Sequence, residues 1–292
     1  MSRLPPADVA PGVRRLTAPN PGPFTAEGTN TYIVGRGRVA VIDPGPESAA
    51  HVAAILAATA GERVTHILLT HTHRDHSGGL AELAAATGAT VLSGGPYRPA
   101  RPLRPDEASP LEEANDTGHA PDRVLADGEE IAGSGWRLVA LATPGHAANH
   151  TAFALPAVDL VFSGDHVMGW SSSIVAPPDG SMGDYMASLD RLATRPERRL
   201  LPGHGPPVED GPARIAELRR HRLGREAAVL ARLAAGDRTI PAIVAAVYQG
   251  LDPRLEPAAA LSVLAHIEDL VARGRVAVEA EGGVAGRYAP IP

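Results

Sequence analysis

Apolar residues in this chain occur in short runs that stop at turn-forming or polar residues, a pattern typical of buried β-strands. We predict strands at residues 30–34, 39–42, 64–69, 136–141, 159–162 and 198–201. Gly35-Arg36-Gly37-Arg38 is the expected hairpin turn between the first two strands. The chain from residue 94 to residue 122 loses this pattern. It is either a substrate-facing loop or a surface excursion, the second being the simpler interpretation, and we expect its His119 to be exposed and to bind no metal.

Helical patterns alternate with these strands. An alanine-rich helix is predicted over residues 48–60 with Ser48 as its cap, and a second over residues 80–86 with Ser77 as its cap. After residue 211 the strands give way to helices at residues 212–235, 240–248 and 258–273, followed by a hairpin around Gly282-Gly283. We therefore divide the chain into a catalytic domain, residues 1–211, and a tail, residues 212–292.

The strand at residues 64–69 leads directly into a cluster of possible metal ligands. His71 and His73 are two residues apart, so in an extended segment both side chains point to the same side and can bind one cation. Asp75 and His76 follow after a bend, where their direction suits a second cation a few ångströms away. Four such residues within six positions indicate a functional metal site rather than a chance grouping.

Three further candidates also follow predicted strands: His146, Asp165 and His204. The seven side chains divide into His71, His73 and His146 for one ion and Asp75, His76 and His204 for the other, with Asp165 between the ions. We assign Asp75, Asp165 and His146 to catalysis as well. His150 is either a hydrogen-bonded structural histidine, the interpretation we favour, or a further metal ligand, and His166 is expected to point away from the site. Asp43, at another strand end, either forms a turn or orients a ligand histidine.

The amino-acid composition excludes several kinds of metal ligand and of catalysis. The 292 residues contain no cysteine, which excludes disulfides and thiolate ligands, and all 27 basic residues are arginine, which excludes lysine Schiff bases. The net charge of −6 argues against nonspecific nucleic-acid binding over the whole surface. The sequence shows no apolar segment of membrane-spanning length and no signal peptide in residues 1–16, so we expect a cytoplasmic protein without membrane contact.

The pattern His71-x-His73-x-Asp75-His76, followed by His146, Asp165 and His204, resembles the metallo-β-lactamase superfamily of dinuclear metal hydrolases. The resemblance covers about residues 28–211. It implies an α+β fold, a four-layer αββα sandwich, with the site at one edge and two zinc ions, manganese or iron being possible instead. Asp43 matches the strand-end aspartate of the family. His73 stands where flavodiiron relatives usually carry glutamate, which favours zinc.

Residues 21–23, 28–32 and 162–165 and the tail are similar to the lactamase-beta-2-like group, whose characterised animal member cleaves single-stranded RNA. This resemblance implies a small C-terminal winged-helix-like domain. It also implies a hydroxide between the metal ions that attacks a phosphodiester, with single-stranded RNA as the substrate.

Other functions remain open on the sequence. A thioester, ester or lactone hydrolase of glyoxalase II type would share the metal chemistry, although such relatives recognise glutathione partly through lysine. A true β-lactamase is disfavoured because those enzymes lack the aspartate that Asp165 supplies here. A metal-stabilised binding protein without activity is a further alternative.

Arginines provide the possible contact to RNA. Six of them lie on the predicted helix that joins the domains, where a solvated helix face is the simpler interpretation: Arg214, Arg219, Arg220, Arg222, Arg225 and Arg232. Arg98, Arg101 and Arg104 in the long loop could contribute if they face the site. The third tail helix carries Glu268 and Asp269, so we expect no sequence-specific binding of duplex DNA. The sequence does not indicate an oligomeric state.

Overall fold

Two β-sheets packed face to face form the larger part of this computed structural model, which describes residues 6–104, 107 and 114–291. Within those residues, the first sheet contains seven strands in chain order: β1 (Ala7–Ala10), β2 (Val13–Thr17), β3 (Asn30–Val34), β4 (Arg38–Ile42), β5 (Arg63–Leu69), β6 (Thr90–Ser93) and β7 (Arg123–Val124). The second sheet contains five: β8 (Glu130–Gly133), β9 (Trp136–Ala142), β10 (Thr151–Leu155), β11 (Leu160–Gly164) and β12 (Arg199–Pro202).

Strand direction brings several carboxyl ends together. β4, β5 and β6 run parallel to one another, and β11 runs parallel to β12. β9 has the same direction as β11, because both are antiparallel to the intervening β10. The residues that follow β5, β9, β11 and β12 are those in which the sequence places the metal ligands.

Helices cover both outer faces of the sandwich. The helices of this part are α1 (Ala49–Ala58), α2 (Arg74–Ser77), α3 (Leu80–Thr87) and α4 (Met182–Ala193). Ser48 caps α1 by accepting a hydrogen bond from the His51 amide. Apolar side chains fill the space between the sheets, where Tyr32 and Phe162 meet with ring centroids 5.1 Å apart. Further apolar clusters lie under α1 and α3 on one side and under α4 on the other. The predicted αββα sandwich is confirmed.

The described part of the tail contains three α-helices, a short 3-10 helix (Pro253–Leu255) and a hairpin: α5 (Gly211–Ala234), α6 (Ile240–Val247), α7 (Glu256–Ala272), β13 (Val276–Ala280) and β14 (Arg287–Pro290). α5 belongs to two cores. Its Ile215 and Leu218 pack in the cluster that covers the second sheet, whereas Val229 and Leu233 pack among the tail residues. The helix that was predicted as a linker therefore buries apolar surface on both sides of the predicted domain boundary.

Three sequence predictions differ from the structure. The sequence pattern identified six of the twelve described sandwich strands and missed the others: β1, β2, β6, β7, β8 and β10. Ser77 does not cap α3, because it ends the short helix α2 and α3 begins after Gly79 without a side-chain cap. His119 is buried rather than exposed, with its Nε2 atom 3.0 Å from the Ser93 hydroxyl. Part of the long loop, residues 105–106 and 108–113, lies outside the described residues.

Within the part of the chain that the structure describes, no helix is both long and apolar enough to cross a lipid bilayer.

Candidate metal centre

The ligand loop begins where β5 ends, and Asp43 anchors its first residue. The Thr70 amide donates a hydrogen bond to Asp43 Oδ1 at 2.8 Å, and the Thr70 hydroxyl donates one to Oδ2, also at 2.8 Å. His71 and His73 follow, with His73 in extended backbone, and α2 then turns the chain by one helical turn. This turn aims Asp75 and His76 in a new direction, as the sequence pattern predicted.

The first group of converging nitrogens contains His71, His73 and His146. Nδ1 of His73 lies 2.9 Å from Nε2 of His71 and 3.0 Å from Nε2 of His146. All three side chains are buried. The lone pairs of three imidazoles can share a point only if a proton or a cation occupies it, so this geometry suits a metal ion.

The second group contains Asp75, His76 and His204. Nε2 of His204 is 3.1 Å from Oδ2 of Asp75 and 3.2 Å from Nε2 of His76. His76 and His204 are fully buried, while Asp75 is partly exposed. One carboxylate and two imidazoles on adjoining strand ends offer a second cation nitrogen and oxygen ligands.

Asp165 lies between the two groups. Its Oδ2 atom is 3.3 Å from Nε2 of His204 and 3.8 Å from Nε2 of His146, and its Oδ1 atom is 3.4 Å from Nε2 of His76. Gly203 permits this position, because a Cβ atom there would stand 2.4 Å from Asp165 Oδ1. The structure thus brings all seven predicted residues together, in the two groups that the sequence suggested.

Outer hydrogen bonds fix which nitrogen His146 and His76 offer to the site. Nδ1 of His146 donates to the Ile174 carbonyl at 2.7 Å, so Nε2 carries the lone pair that faces the site. Nδ1 of His76 lies 2.9 Å from Asp43 Oδ2. Of the two interpretations left open for Asp43, the geometry favours a carboxylate that orients a ligand histidine.

Two residues without an assigned metal role also support the ligands. Asn30 donates to the carbonyls of Pro202 and Gly205, on either side of His204, at 3.1 and 2.9 Å. His150 accepts a hydrogen bond from the Asp165 amide at 3.2 Å, which fits its interpretation as a structural histidine. No local pattern around Asn30 indicated this role, because its partners lie 172 and 175 positions away.

The histidine pKa values differ between the two groups of ligands. Burial lowers the pKa of His73 to about 3 and that of His71 well below its usual value, so both imidazoles are neutral at pH 7 and free to bind a cation. Burial also opposes protonation of His204, but Asp165 and Asp75 outweigh it and raise its pKa to about 9. Without a metal, a proton would partly compensate the carboxylates of the second group. Metal binding must then displace protons.

One buried atom supports the fit of this donor set to a cation. Asp165 Oδ1 has no hydrogen-bond partner within the described residues. A buried carboxylate oxygen without a partner is costly, and coordination of a cation by Asp165 removes that cost. The nitrogen and oxygen ligands suit a borderline divalent ion such as zinc.

The arginines predicted to be solvated or to face a substrate mostly contact the protein itself. Arg222 is buried, donates to the Ser173 carbonyl and stands 5.1 Å from the Tyr185 ring. Four others on α5 also bond within the chain: Arg214 to Met168 and Ser171, Arg219 to Asp190, Arg225 to Val247, and Arg232 to Asp237. In the long loop, Arg98 donates to the Ala148 carbonyl, and Arg101 and Arg104 pair with Glu268.

Known proteins share both the site-bearing domain and the tail. The protein-family model described as "Metallo-beta-lactamase superfamily" matches residues 24–204, more than half of the chain. The chain belongs to the metallo-β-lactamase superfamily. It is therefore an enzyme of a hydrolase family that binds divalent metal ions. A second family model, "Beta-lactamase associated winged helix domain", matches residues 239–285 and confirms the winged-helix nature of the tail.

Individual relatives extend over most of the chain. Lactamase-like protein adaB of Aspergillus niger is 32% identical over 277 residues, covering 88% of this chain and 80% of that protein. The atrochrysone carboxyl ACP thioesterase of Aspergillus chevalieri is 33% identical over 240 residues, covering 80% and 70%. The crystal structure of a metallo-beta-lactamase family protein from Thermus thermophilus matches with a TM-score of 0.77 and 28% identity, over 97% of this chain and 100% of that one.

Proposed function

We propose that this superfamily member is a dinuclear hydrolase of acyl thioesters. The choice of substrate rests on one observation: most of the arginines considered for RNA binding are bonded to other groups of the protein. An RNA backbone requires accessible positive charge, whereas Arg101, Arg104 and Arg222 are engaged in internal contacts. A thioester needs no such surface. The relative named as an ACP thioesterase supports the same choice.

The metal content is part of the proposal. His71, His73 and His146 would hold one zinc ion, and Asp75, His76 and His204 the other, with Asp165 reaching both. Manganese or iron are the alternatives for the same ligands. When bound, the two cations would lower the pKa of a water molecule and neutralise negative charge on the carbonyl oxygen.

The chain's own residues position the reaction. Asp165 is ionised at neutral pH because the histidines around it outweigh the effect of burial and hold its pKa well below the usual value. Asp43 and the Ile174 carbonyl keep His76 and His146 from rotating. A thiol has a pKa of about 8.5, so a thiolate can leave without a side-chain acid to protonate it.

Cleavage of single-stranded RNA is the second candidate. Arg74 favours it, because this side chain is exposed and lies on α2, next to Asp75. The two-cation chemistry would serve a phosphodiester equally well, since both ions can neutralise charge on phosphate oxygens. One arginine next to the ligand loop gives a small footprint, however, and the thioester proposal ranks first.

A parallel substrate assay of the zinc-loaded enzyme tests the proposal. We expect kcat/KM for an acyl-pantetheine thioester to exceed that for unstructured RNA, a lactone or a β-lactam by at least about 100-fold. Asp165→Ala should abolish turnover, since it removes the carboxylate between the two groups. Asp184→Ala, at an exposed carboxylate on α4, is the matched control and should keep full activity. Degradation of RNA with intact thioesters would refute the thioester proposal and favour the ribonuclease.

A further inference from the structure

A segment beside the metal centre is held in place by arginines of α5. We call residues 168–174, which follow β11 and the Asp165 turn, the arginine-held segment. Nε of Arg214 donates to the Met168 carbonyl at 2.8 Å, and NH2 of the same side chain donates to the Ser171 carbonyl at 2.7 Å. Arg222 donates to the Ser173 carbonyl. Two guanidinium groups thus fix three carbonyls of one short segment, which restricts its motion.

The far end of the arginine-held segment is joined to a ligand. The Ile174 carbonyl accepts the hydrogen bond from Nδ1 of His146 at 2.7 Å. The Ser173 hydroxyl donates to the His166 carbonyl at 3.0 Å, which closes the segment onto the residue after Asp165. The segment is therefore part of the frame of the site rather than an independent surface loop.

Trp170 is the exposed aromatic residue in the middle of this segment. Its side chain keeps 38% of its surface exposed, although the residues on both sides are anchored. The indole packs on the backbone of Gly205, where a Cβ atom would stand 2.5 Å from Trp170 Cδ1. Gly205 directly follows His204, so the indole packs on the residue next to a ligand of the centre. A rigid, half-exposed aromatic ring there offers an apolar wall to a molecule bound at the metals.

We propose that Trp170 is a specificity-determining residue that contacts the apolar acyl group of the substrate, and that Arg214 is its positioning residue. This inference rests on the proposed thioesterase function. The thiol half of a pantetheine thioester is polar, so the acyl group is the half that gains from an indole surface. Burial of each methylene group contributes about 0.8 kcal/mol, or about fourfold in affinity. Three or four methylenes against Trp170 would therefore favour long acyl chains strongly.

A chain-length series measures this contact. Trp170→Ala should lower kcat/KM for a decanoyl-pantetheine thioester at least tenfold and change it less than twofold for the acetyl thioester. Trp170→Phe should restore most of the loss, since it returns an aromatic face. Arg214→Ala should reduce the decanoyl preference in the same direction, whereas Arg219→Ala, at an exposed arginine of the same helix, should not. Leu223→Ala removes a different exposed apolar side chain, on α5, and is the control for Trp170→Ala.

Equal losses with acetyl and decanoyl substrates would refute the proposal, because they would indicate a structural role for Trp170. Unchanged kinetics in Trp170→Ala would refute it as well. The zinc content of each variant should match the wild type, which separates a lost contact from a damaged centre.

Tryptophan fluorescence tests the contact without catalysis. The protein has two tryptophans, and Trp136 is 6% exposed and bonded to the Arg38 carbonyl. We expect decanoate, but not acetate, to change the emission of the zinc-loaded wild type, and Trp170→Phe to abolish that change. Decanoate that leaves the emission unaltered would contradict the inference even if thioesters are hydrolysed. If decanoate changes the emission but the protein hydrolyses no thioester, the proposed function is refuted, whereas the contact between Trp170 and an apolar ligand group stands.

Discussion

Single buried histidines set the acid sensitivity of the protein. His266 on α7 is 1% exposed, and neither ring nitrogen has a hydrogen-bond partner among the described residues. Burial, and to a smaller extent the positive charge of Arg222 on α5, lowers its pKa to about 3. The native protein therefore keeps His266 neutral at pH values where the unfolded chain, with a pKa of about 6.5, already binds a proton.

The free energy of unfolding should therefore decrease as the pH falls. Stability from neutral His266 is complete above about pH 6.5 and is lost as the pH falls, by about 2 kcal/mol at pH 5. His266→Leu should lose about 2 kcal/mol less than the wild type between pH 7 and pH 5. Urea unfolding of both metal-free proteins measures it. His221→Leu, at an exposed histidine of α5, should change the slope less, and parallel curves for wild type and His266→Leu would contradict the assignment.

Ligand residues were predictable at this scale because their spacing is local and each follows an apolar run. The positions of His71, His73 and His76 depend only on one strand end and one helical turn. The burial of a side chain was not predictable where it results from residues that are distant in the sequence. His119 looked exposed in a polar stretch, but Ser93 and the loop around it bury the ring. The assignment of individual ligands to metal ions stays a prediction.

At the scale of elements, the acidic side of α7 ties down the long loop. Glu268 pairs with Arg101 at 2.8 Å and with Arg104 at 2.7 Å, and Glu107 also pairs with Arg101, at 2.6 Å. The same loop contacts the segment before α4, since the Ala100 amide donates to the Pro178 carbonyl. It remains a prediction that α7 does not bind duplex DNA sequence-specifically. Its residue Glu268 holds the long loop in place.

Removal of Glu268 should release this loop. These pairs are partly exposed, so Glu268→Gln should cost only about 1 kcal/mol at low salt and less at high salt. Amide exchange of residues 97–104 should become faster while exchange in β5 stays unchanged. Glu47→Gln, at an exposed glutamate before α1, is the control. Equal exchange rates in the loop with and without Glu268 would show that other contacts hold it.

The elements themselves were predicted well where one pattern is sustained over many residues. α5 was predicted at residues 212–235 and lies at Gly211–Ala234. The role of its arginines was not predicted, because composition does not show which face is buried. Position 222 follows Ile215 and Leu218 by seven and four residues, on the same helix face. This spacing was a signal that Arg222 is buried, and the structure places it there.

At the scale of the whole molecule, the site joins the two sheets of the sandwich. The first sheet supplies His71, His73 and His76, and the second supplies His146 and His204. α5 then connects the sandwich to the winged-helix tail through a second apolar cluster. The position of one sheet relative to the other was outside the reach of sequence patterns, because it results from side chains packed between them.

Metal ions at this junction should stabilise the entire fold. An ion that binds the native state but not the unfolded chain contributes about 4 kcal/mol when its concentration is a thousand times its dissociation constant. We expect the zinc-loaded protein to contain two ions per chain and to melt about 10 °C above the chelator-treated protein. His204→Ala should reduce the metal content to about one and remove part of that difference. A metal content of one in the wild type, or a melting temperature indifferent to chelation, would contradict a dinuclear centre shared by the two sheets.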